Sequence, residues 1–278
     1  MVEQTAESCR TLPDFLGIGA QRAGTSSIFA CLREHPEVYT PTIKELHFFD
    51  GHYDKGMAWY KEFFVERTDE TIAGEFSPNY LNHPDAIPRI AADLPSAKLI
   101  VMLRDPVERA WSAYKLFRSQ GYFANQSFEE AMLPTSELVN QGQYAKHLER
   151  VFEYFPRRQV GIWQFNDFTR EPALVMQQIY AWLGVDPAFE SVEVGSNHNS
   201  SALHGVQERL QRWRLGFVWN TARYVPFARH VKDWLVKREA QKDDGAIERR
   251  QKYLHLFTDD MLHLEQLLDK DFSHWRRT

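Results

Sequence analysis

Short apolar runs, each followed by a longer polar or amphipathic stretch, set the rhythm of the chain. Residues 15–19, 72–76, 98–103 and 159–165 are such runs, bounded by Pro13, Ser77-Pro78, Arg104-Asp105-Pro106 and Pro156. Their length and their β-branched and aromatic content predict buried strands. Helices are predicted between them. Residues 24–33 are closed by His35-Pro36, and residues 106–118 carry Val107, Ala110, Trp111 and Tyr114 at helical spacing. Asp105-Pro106-Val107-Glu108 is a helix-start signal with Asp as cap, Pro at the first position and Glu at the third. Residues 144–155 and 167–183 continue the alternation. Strands alternating with helices predict a three-layer α/β/α domain with a central, mostly parallel sheet. Ligands of such sheets bind at the carboxyl ends of strands, so the strand-to-helix turns are the places to search for chemistry.

The pattern changes after about residue 200. Strands disappear, and residues 206–252 hold twelve Lys and Arg against six Asp and Glu, interleaved with Trp213, Phe217, Trp219, Tyr224, Phe227 and Trp234. Two readings stand: helices that pack aromatic stripes on the body with solvated basic faces, or a cap over an anionic substrate or a peripheral membrane contact. Residues 259–268, with Met261, Leu262, Leu264, Leu267 and Leu268, read as a docking helix. With no repeat of 20–50 residues, the expectation is one domain over 1–278: a core of about 12–200, a helical, basic and aromatic-rich segment of about 201–252, and a C-terminal helix within about 253–278.

Composition narrows the class. The chain has 278 residues, 43% of them apolar and 14% aromatic, enough for a sizeable core and too many for a disordered chain. Its formal net charge of −5 argues against a nucleic-acid partner, which calls for a basic surface. Cys9 and Cys31 form neither a disulfide framework nor a metal-ligand spacing, which suits a reducing, cytoplasmic compartment. Residues 1–12 carry Glu3, Glu7 and Arg10 without an apolar centre, unlike a signal peptide. The longest strongly apolar run, 99–103, is far short of the ~20 residues of a membrane span, so a soluble protein is expected.

The first strand leads into Gly19-Ala20-Gln21-Arg22-Ala23-Gly24-Thr25-Ser26-Ser27. Gly, four residues, Gly and a polar pair form the frame of a phosphate loop: the glycines allow a sharp turn, and a helix N-terminus offers N–H groups and a positive dipole to an anion. ATP- and GTP-using loops place Lys after the second Gly. Here Thr25 stands there, and Arg22, inside the loop, is the one cation. Either a simple tight turn or an anion site fits this segment alone. The strand at 98–103 ends on Arg104, whose planar guanidinium can grip a second phosphate, with Ser112 two helical turns on as a hydroxyl donor. The plainer alternatives are a salt bridge from Arg104 to Asp105 or Glu108, and an exposed helix serine. In Pro41-Thr42-Ile43-Lys44-Glu45-Leu46-His47-Phe48-Phe49-Asp50, Thr42 and Glu45 match a capping box. The other reading makes Glu45 a general base and His47 a second polar group, in a pocket whose Phe48 and Phe49 walls would raise the carboxyl pKa.

Together these segments resemble the sulfotransferases that use 3′-phosphoadenosine 5′-phosphosulfate (PAPS), in particular the heparan sulfate sulfotransferase-like group and its soluble bacterial relatives. The similarity runs from about Leu12 to Leu183, includes Gly142-Gln143-Tyr144, and returns in the tail at residues 267–275. It implies the P-loop NTPase-like sulfotransferase fold. It also implies that Arg22, Ala23, Gly24, Thr25, Ser26 and Ser27 form the 5′-phosphosulfate loop, and that Arg104 and Ser112 bind the 3′-phosphate. Glu45 then falls on the catalytic glutamate, with Arg22 and His47 beside it in catalysis and without a metal. Three departures are plain: Arg22 stands where the family loop usually has Lys, Phe76 where heparan-type members have Lys, and the eukaryotic Lys-Gly-Arg tail element is not evident. Residues 197–201 either serve that end of the nucleotide or cap a helix. The implied activity is transfer of a sulfuryl group to a hydroxyl of a small-molecule, carbohydrate or lipid acceptor, leaving 3′,5′-bisphosphoadenosine (PAP). A P-loop kinase or NTPase, and a non-catalytic nucleotide-binding scaffold, are the alternatives.

Overall fold

The structure, a computed structural model, describes residues 11–194 and 245–276. Residues 197–201, Cys9 and the basic, aromatic-rich segment up to residue 244 lie outside them. In chain order the elements are β1 (Phe15–Gly19), α1 (Thr25–Glu34), β2 (Val38–Tyr39), α2 (Phe48–Gly51), α3 (Gly56–Lys61), β3 (Ile72–Phe76), α4 (Ala86–Asp93), β4 (Lys98–Leu103), α5 (Pro106–Ser119), α6 (Phe128–Ala131) and α7 (Glu137–Asn140). There follow α8 (Tyr144–Tyr154), β5 (Val160–Gln164), α9 (Phe165–Arg170), α10 (Pro172–Leu183), α11 (Ala246–Tyr253) and α12 (Thr258–Leu268).

The sheet is parallel throughout, in the order β2-β3-β1-β4-β5. The four predicted strands are all present. β2, two residues long at the sheet edge, is too short to show in a hydrophobic pattern. Because β1 lies between β3 and β4, the chain crosses from one side of β1 to the other after β3. In such sheets ligands bind outside the carboxyl ends of the strands where the order reverses, here those of β1, β3 and β4. The strands are buried almost end to end, as a parallel sheet covered by helices requires.

The helix signals translate directly. Asp105 caps α5 by accepting from Val107 N at 2.9 Å and Glu108 N at 3.1 Å, and Pro106 fills the first position. The helix expected over 167–183 divides at Glu171, because Pro172 lacks the N–H that would continue α9 and instead opens α10. The C-terminal part is helical where it is described. α12 packs on α8, and Asp260 of α12 accepts from the first amides of α8, Ala145 N at 3.1 Å and Lys146 N at 3.2 Å. Phe272 and Trp275 then bury their rings, Trp275 with its centroid 6.1 Å from that of Tyr144. The tail thus braces the helix whose first residue, Tyr144, faces the ligand end of β4.

Candidate active site

At the end of β1 the backbone is tied to β4 by Ala20 N, which donates to Met102 O at 2.8 Å. Ala23 N returns to Ala20 O at 3.2 Å, and Gly24, with φ at 87°, turns the chain into α1. This conformation suits glycine for a second reason: a Cβ here would lie 2.7 Å from the Phe165 ring. Ser27 N closes onto Gly24 O at 3.0 Å. The side chains of Thr25 and Ser27 are buried and that of Ser26 is half-buried. The amides of Ala23 and Ser27 are thus engaged within the turn, and those of Gly24, Thr25 and Ser26 follow at the helix N-terminus.

Arg22 sits in the left-handed region, with φ at 71°, and its Nε donates to Ser112 Oγ at 3.1 Å. Arg104 closes the other side, its Nη1 donating to Arg22 O at 3.1 Å and its guanidinium lying 4.7 Å from the Phe165 ring centroid. The Arg104 carbonyl is itself held by the Tyr144 hydroxyl at 2.8 Å. Asp105 and Glu108, the alternative partners of Arg104, face α11: Arg250 Nε lies 2.8 Å from Asp105 and Arg249 Nη2 3.5 Å from Glu108. Arg249 also covers the Trp111 ring at 4.5 Å, one residue from Ser112. The loop and the β4 end, separate in the sequence, form one basic corner.

Glu45 and His47 follow at the end of β3, the strand beside β1. No capping box forms; Glu45 has φ at 65° and its N–H donates to Phe76 O at 3.0 Å. Lys44 Nζ bonds the Glu45 carboxylate, and His47 Nε2 lies 3.6 Å from Glu45 Oε2. His47 Nδ1 meets Asp50 Oδ2 at 2.9 Å, and Asn79 Nδ2 donates to the same oxygen at 3.2 Å. The expected apolar walls are elsewhere. Phe48 and Phe49 are core residues, and Phe48 stacks on Tyr60 at 4.4 Å. The Glu45 carboxyl is accordingly not raised. Burial pushes it up, but the bond to His47 and the charge of Lys44 outweigh this and bring it down to about 2. Bonds to Asp50 and then Glu45 raise His47 to about 10. The result is an ionised carboxylate beside an imidazolium, oriented from behind by a second carboxylate.

Arg22, Glu45 and His47 share a further property. They are three of the four non-glycine residues with positive φ among the described residues. That conformation costs an L-residue roughly 1–2 kcal/mol, and such strain concentrates at functional sites. The sequence reading passed over Asp50, Asn79, Arg249 and the buried Glu75. Asp50 stands three residues after His47, a spacing that becomes a contact only once α2 is known.

A glycine-turned loop, two arginines and a strained carboxylate gather at the carboxyl ends of a parallel α/β sheet, an arrangement suited to an anionic ligand. The sulfotransferase domain family matches residues 12–204. Mouse bifunctional heparan sulfate N-deacetylase/N-sulfotransferase 4 is 33% identical over 210 residues, 67% of this chain and 24% of that protein. Human heparan sulfate glucosamine 3-O-sulfotransferase 3A1 is 35% identical over 187 residues, 64% of this chain and 46% of that protein. This chain therefore spans less than half the length of these curated relatives. The crystal structure of a sulfotransferase from Alicyclobacillus acidocaldarius superposes with a TM-score of 0.70 at 26% identity, covering 96% of this chain and 99% of that one. The chain belongs to the sulfotransferase domain family. Among the described residues no helix is long and apolar enough to cross a membrane, and no three His, Cys, Asp or Glu side chains gather as a metal site would need.

Proposed function

We propose that the protein transfers the sulfuryl group of PAPS to a hydroxyl of a small-molecule, sugar or lipid acceptor. One observation carries this reading: the Arg22–Ser112 bond and the Arg104–Arg22 bond make a single corner of the loop and the β4 end. Cations converging on two strand ends suit an adenosine phosphorylated at both its 5′ and 3′ positions better than a singly phosphorylated one. The turn at Gly24, where a Cβ would be crowded, fits close approach of backbone to phosphate.

When bound, the nucleotide supplies an activated sulfuryl group, whose bond to the bridging oxygen breaks as the acceptor oxygen bonds to sulfur. The amides of Gly24, Thr25 and Ser26 at the positive end of α1 hold the 5′-phosphate, with the Thr25 and Ser26 hydroxyls beside them. Arg22 stabilises the charge that grows on the departing bridging oxygen, and Arg104 with Ser112 holds the 3′-phosphate. Glu45 takes the acceptor proton. At a pKa of about 2 it is ionised throughout the neutral range. Such a weak base does not deprotonate a free alcohol; it receives the proton as the forming O–S bond makes the alcohol acidic, in step with transfer. His47, held by Asp50, orients the carboxylate.

The curated relatives carry heparan sulfate in their names, and a heparan-like acceptor is disfavoured here. Phe76 is fully buried, edge-on to Phe15 and Phe29, so this position offers no charge to an anionic sugar. The reading is tested by incubating the protein with 35S-labelled PAPS and a panel of carbohydrate, lipid and phenolic alcohols. Label in an acceptor supports it. Calorimetry showing PAP bound no tighter than AMP overturns it.

A further inference from the structure

Beneath the Glu45–His47 segment lies a carboxyl group that the proposed chemistry does not use. Glu75, on β3, is 1% exposed. Ser77 Oγ donates to its Oε2 at 2.9 Å and Tyr60 OH to its Oε1 at 3.4 Å. The Ser77 hydroxyl has a second role. Ser77 Oγ accepts the backbone N–H of His47 at 3.1 Å. Tyr80 OH accepts those of Phe48 at 2.9 Å and Phe49 at 3.4 Å. Since the Ser77 hydroxyl has one proton, a carboxylate that takes that proton leaves the oxygen lone pairs facing the His47 amide.

We propose that Glu75 is a positioning residue for the Glu45–His47 pair: through Ser77 it fixes the His47 amide, and with it the left-handed backbone at His47. The inference rests on the functional reading only for its kinetic consequence. Burying a carboxyl without a cation in contact is costly unless its lone pairs are filled, and here hydroxyls fill them. Burial pushes Glu75 up to about 7, while the bond from Ser77 and the charge of His47 pull against it. The strained conformation needs such support, because His47 has φ at 51° and neither of its neighbours is glycine.

The test is amide hydrogen exchange with kinetics on Glu75→Gln, Ser77→Ala and Tyr80→Phe. Glutamine keeps the shape but removes the charge and replaces one acceptor oxygen with an NH2, so the Ser77 hydroxyl loses the charge-assisted bond that turns its lone pairs to the His47 amide. In Glu75→Gln the His47 amide exchanges up to about tenfold faster, the loss of one net hydrogen bond. In Ser77→Ala His47 does so too, while Tyr80→Phe frees only Phe48 and Phe49, whose acceptor is Tyr80 itself. Amides of β4 keep wild-type protection. Turnover falls about tenfold, a small displacement at the reacting groups, while PAP affinity is unchanged. Wild-type exchange at the His47 amide in Glu75→Gln overturns the proposal, as does equal acceleration across β4, which would make Glu75 a stability residue only. Should Glu75→Gln not fold, exchange at His47 in Ser77→Ala decides. A wild-type protein inert towards PAPS overturns the functional reading and leaves the exchange result standing.

Discussion

Arg22 Nε donates to Ser112 Oγ at 3.1 Å, joining the turn after β1 to α5 across 90 positions of sequence. On the proposed function each residue serves a different phosphate, and the contact ties the two phosphate elements together. Arg104 reinforces the link from the carbonyl side of Arg22.

Arg104→Ala should therefore weaken PAP far more than AMP. A charge-assisted contact is worth about 1.5–3 kcal/mol, roughly 10- to 100-fold, and calorimetry with both nucleotides should show that loss for PAP alone. Ser112→Ala, which removes a neutral donor, should cost PAP about tenfold at most. Equal losses of PAP and AMP in Arg104→Ala would contradict the 3′-phosphate assignment.

Glu45→Gln should reduce turnover by about 10²–10⁴-fold, the range of a positioned proton acceptor, with PAP affinity nearly intact. The readout is transfer of 35S label at saturating acceptor. Its fold should survive, because the residue's structural tie is its backbone N–H to Phe76 O, which the substitution retains. Unchanged turnover would reduce Glu45 to a partner of Lys44.

The pH behaviour of His47 provides a separate check. Its raised pKa means that the folded state holds the proton more tightly than the unfolded chain. The resulting stability is fully present below about 6.5 and is lost as pH rises through about 10. NMR of the imidazole should show one protonated form from pH 6 to 9. In Asp50→Asn, which removes the largest cause of the shift, the titration should move back towards the ordinary histidine range, leaving the Glu45 contact as the remaining support. A wild-type midpoint near 6.5 would show that the Asp50–His47–Glu45 chain does not form in solution.

Much of the frame is legible in the residues themselves, because local chemistry and global fold agree there. Asp105-Pro106-Val107-Glu108 announces α5 and then caps it as read, and the apolar runs become β1, β3, β4 and β5. The site is only half legible. Arg22, Arg104 and Ser112 are visible as candidates, but their meeting depends on which strands are neighbours. The pattern reading of Thr42 and Glu45 as a capping box fails because Glu45 bonds to β3 instead of starting a helix. The left-handed backbone at Arg22, Glu45 and His47 leaves no glycine to mark it. Glu75, an acid in a buried strand, makes sense only beside Ser77, Tyr60 and Tyr80, which tertiary structure alone assembles.

Gly24 and the Arg104 guanidinium both lie against a single ring, that of Phe165. Alanine there meets two penalties: a left-handed backbone with φ at 87°, and a Cβ 2.7 Å from the Phe165 ring. The first costs about 1–2 kcal/mol. The second requires Phe165 to move, and the Arg104 guanidinium rests 4.7 Å from that ring. Gly24→Ala should thus lower stability by about 2–3 kcal/mol in denaturant titration and, on the proposed function, also weaken PAP. Phe165→Ala in the same chain relieves the clash but not the backbone strain. Relative to Phe165→Ala alone, the Gly24→Ala substitution should then cost only the ~1–2 kcal/mol of the first term. Full additivity of the two substitutions would show that the ring and the loop do not touch, and would remove Phe165 as the link between Gly24 and Arg104.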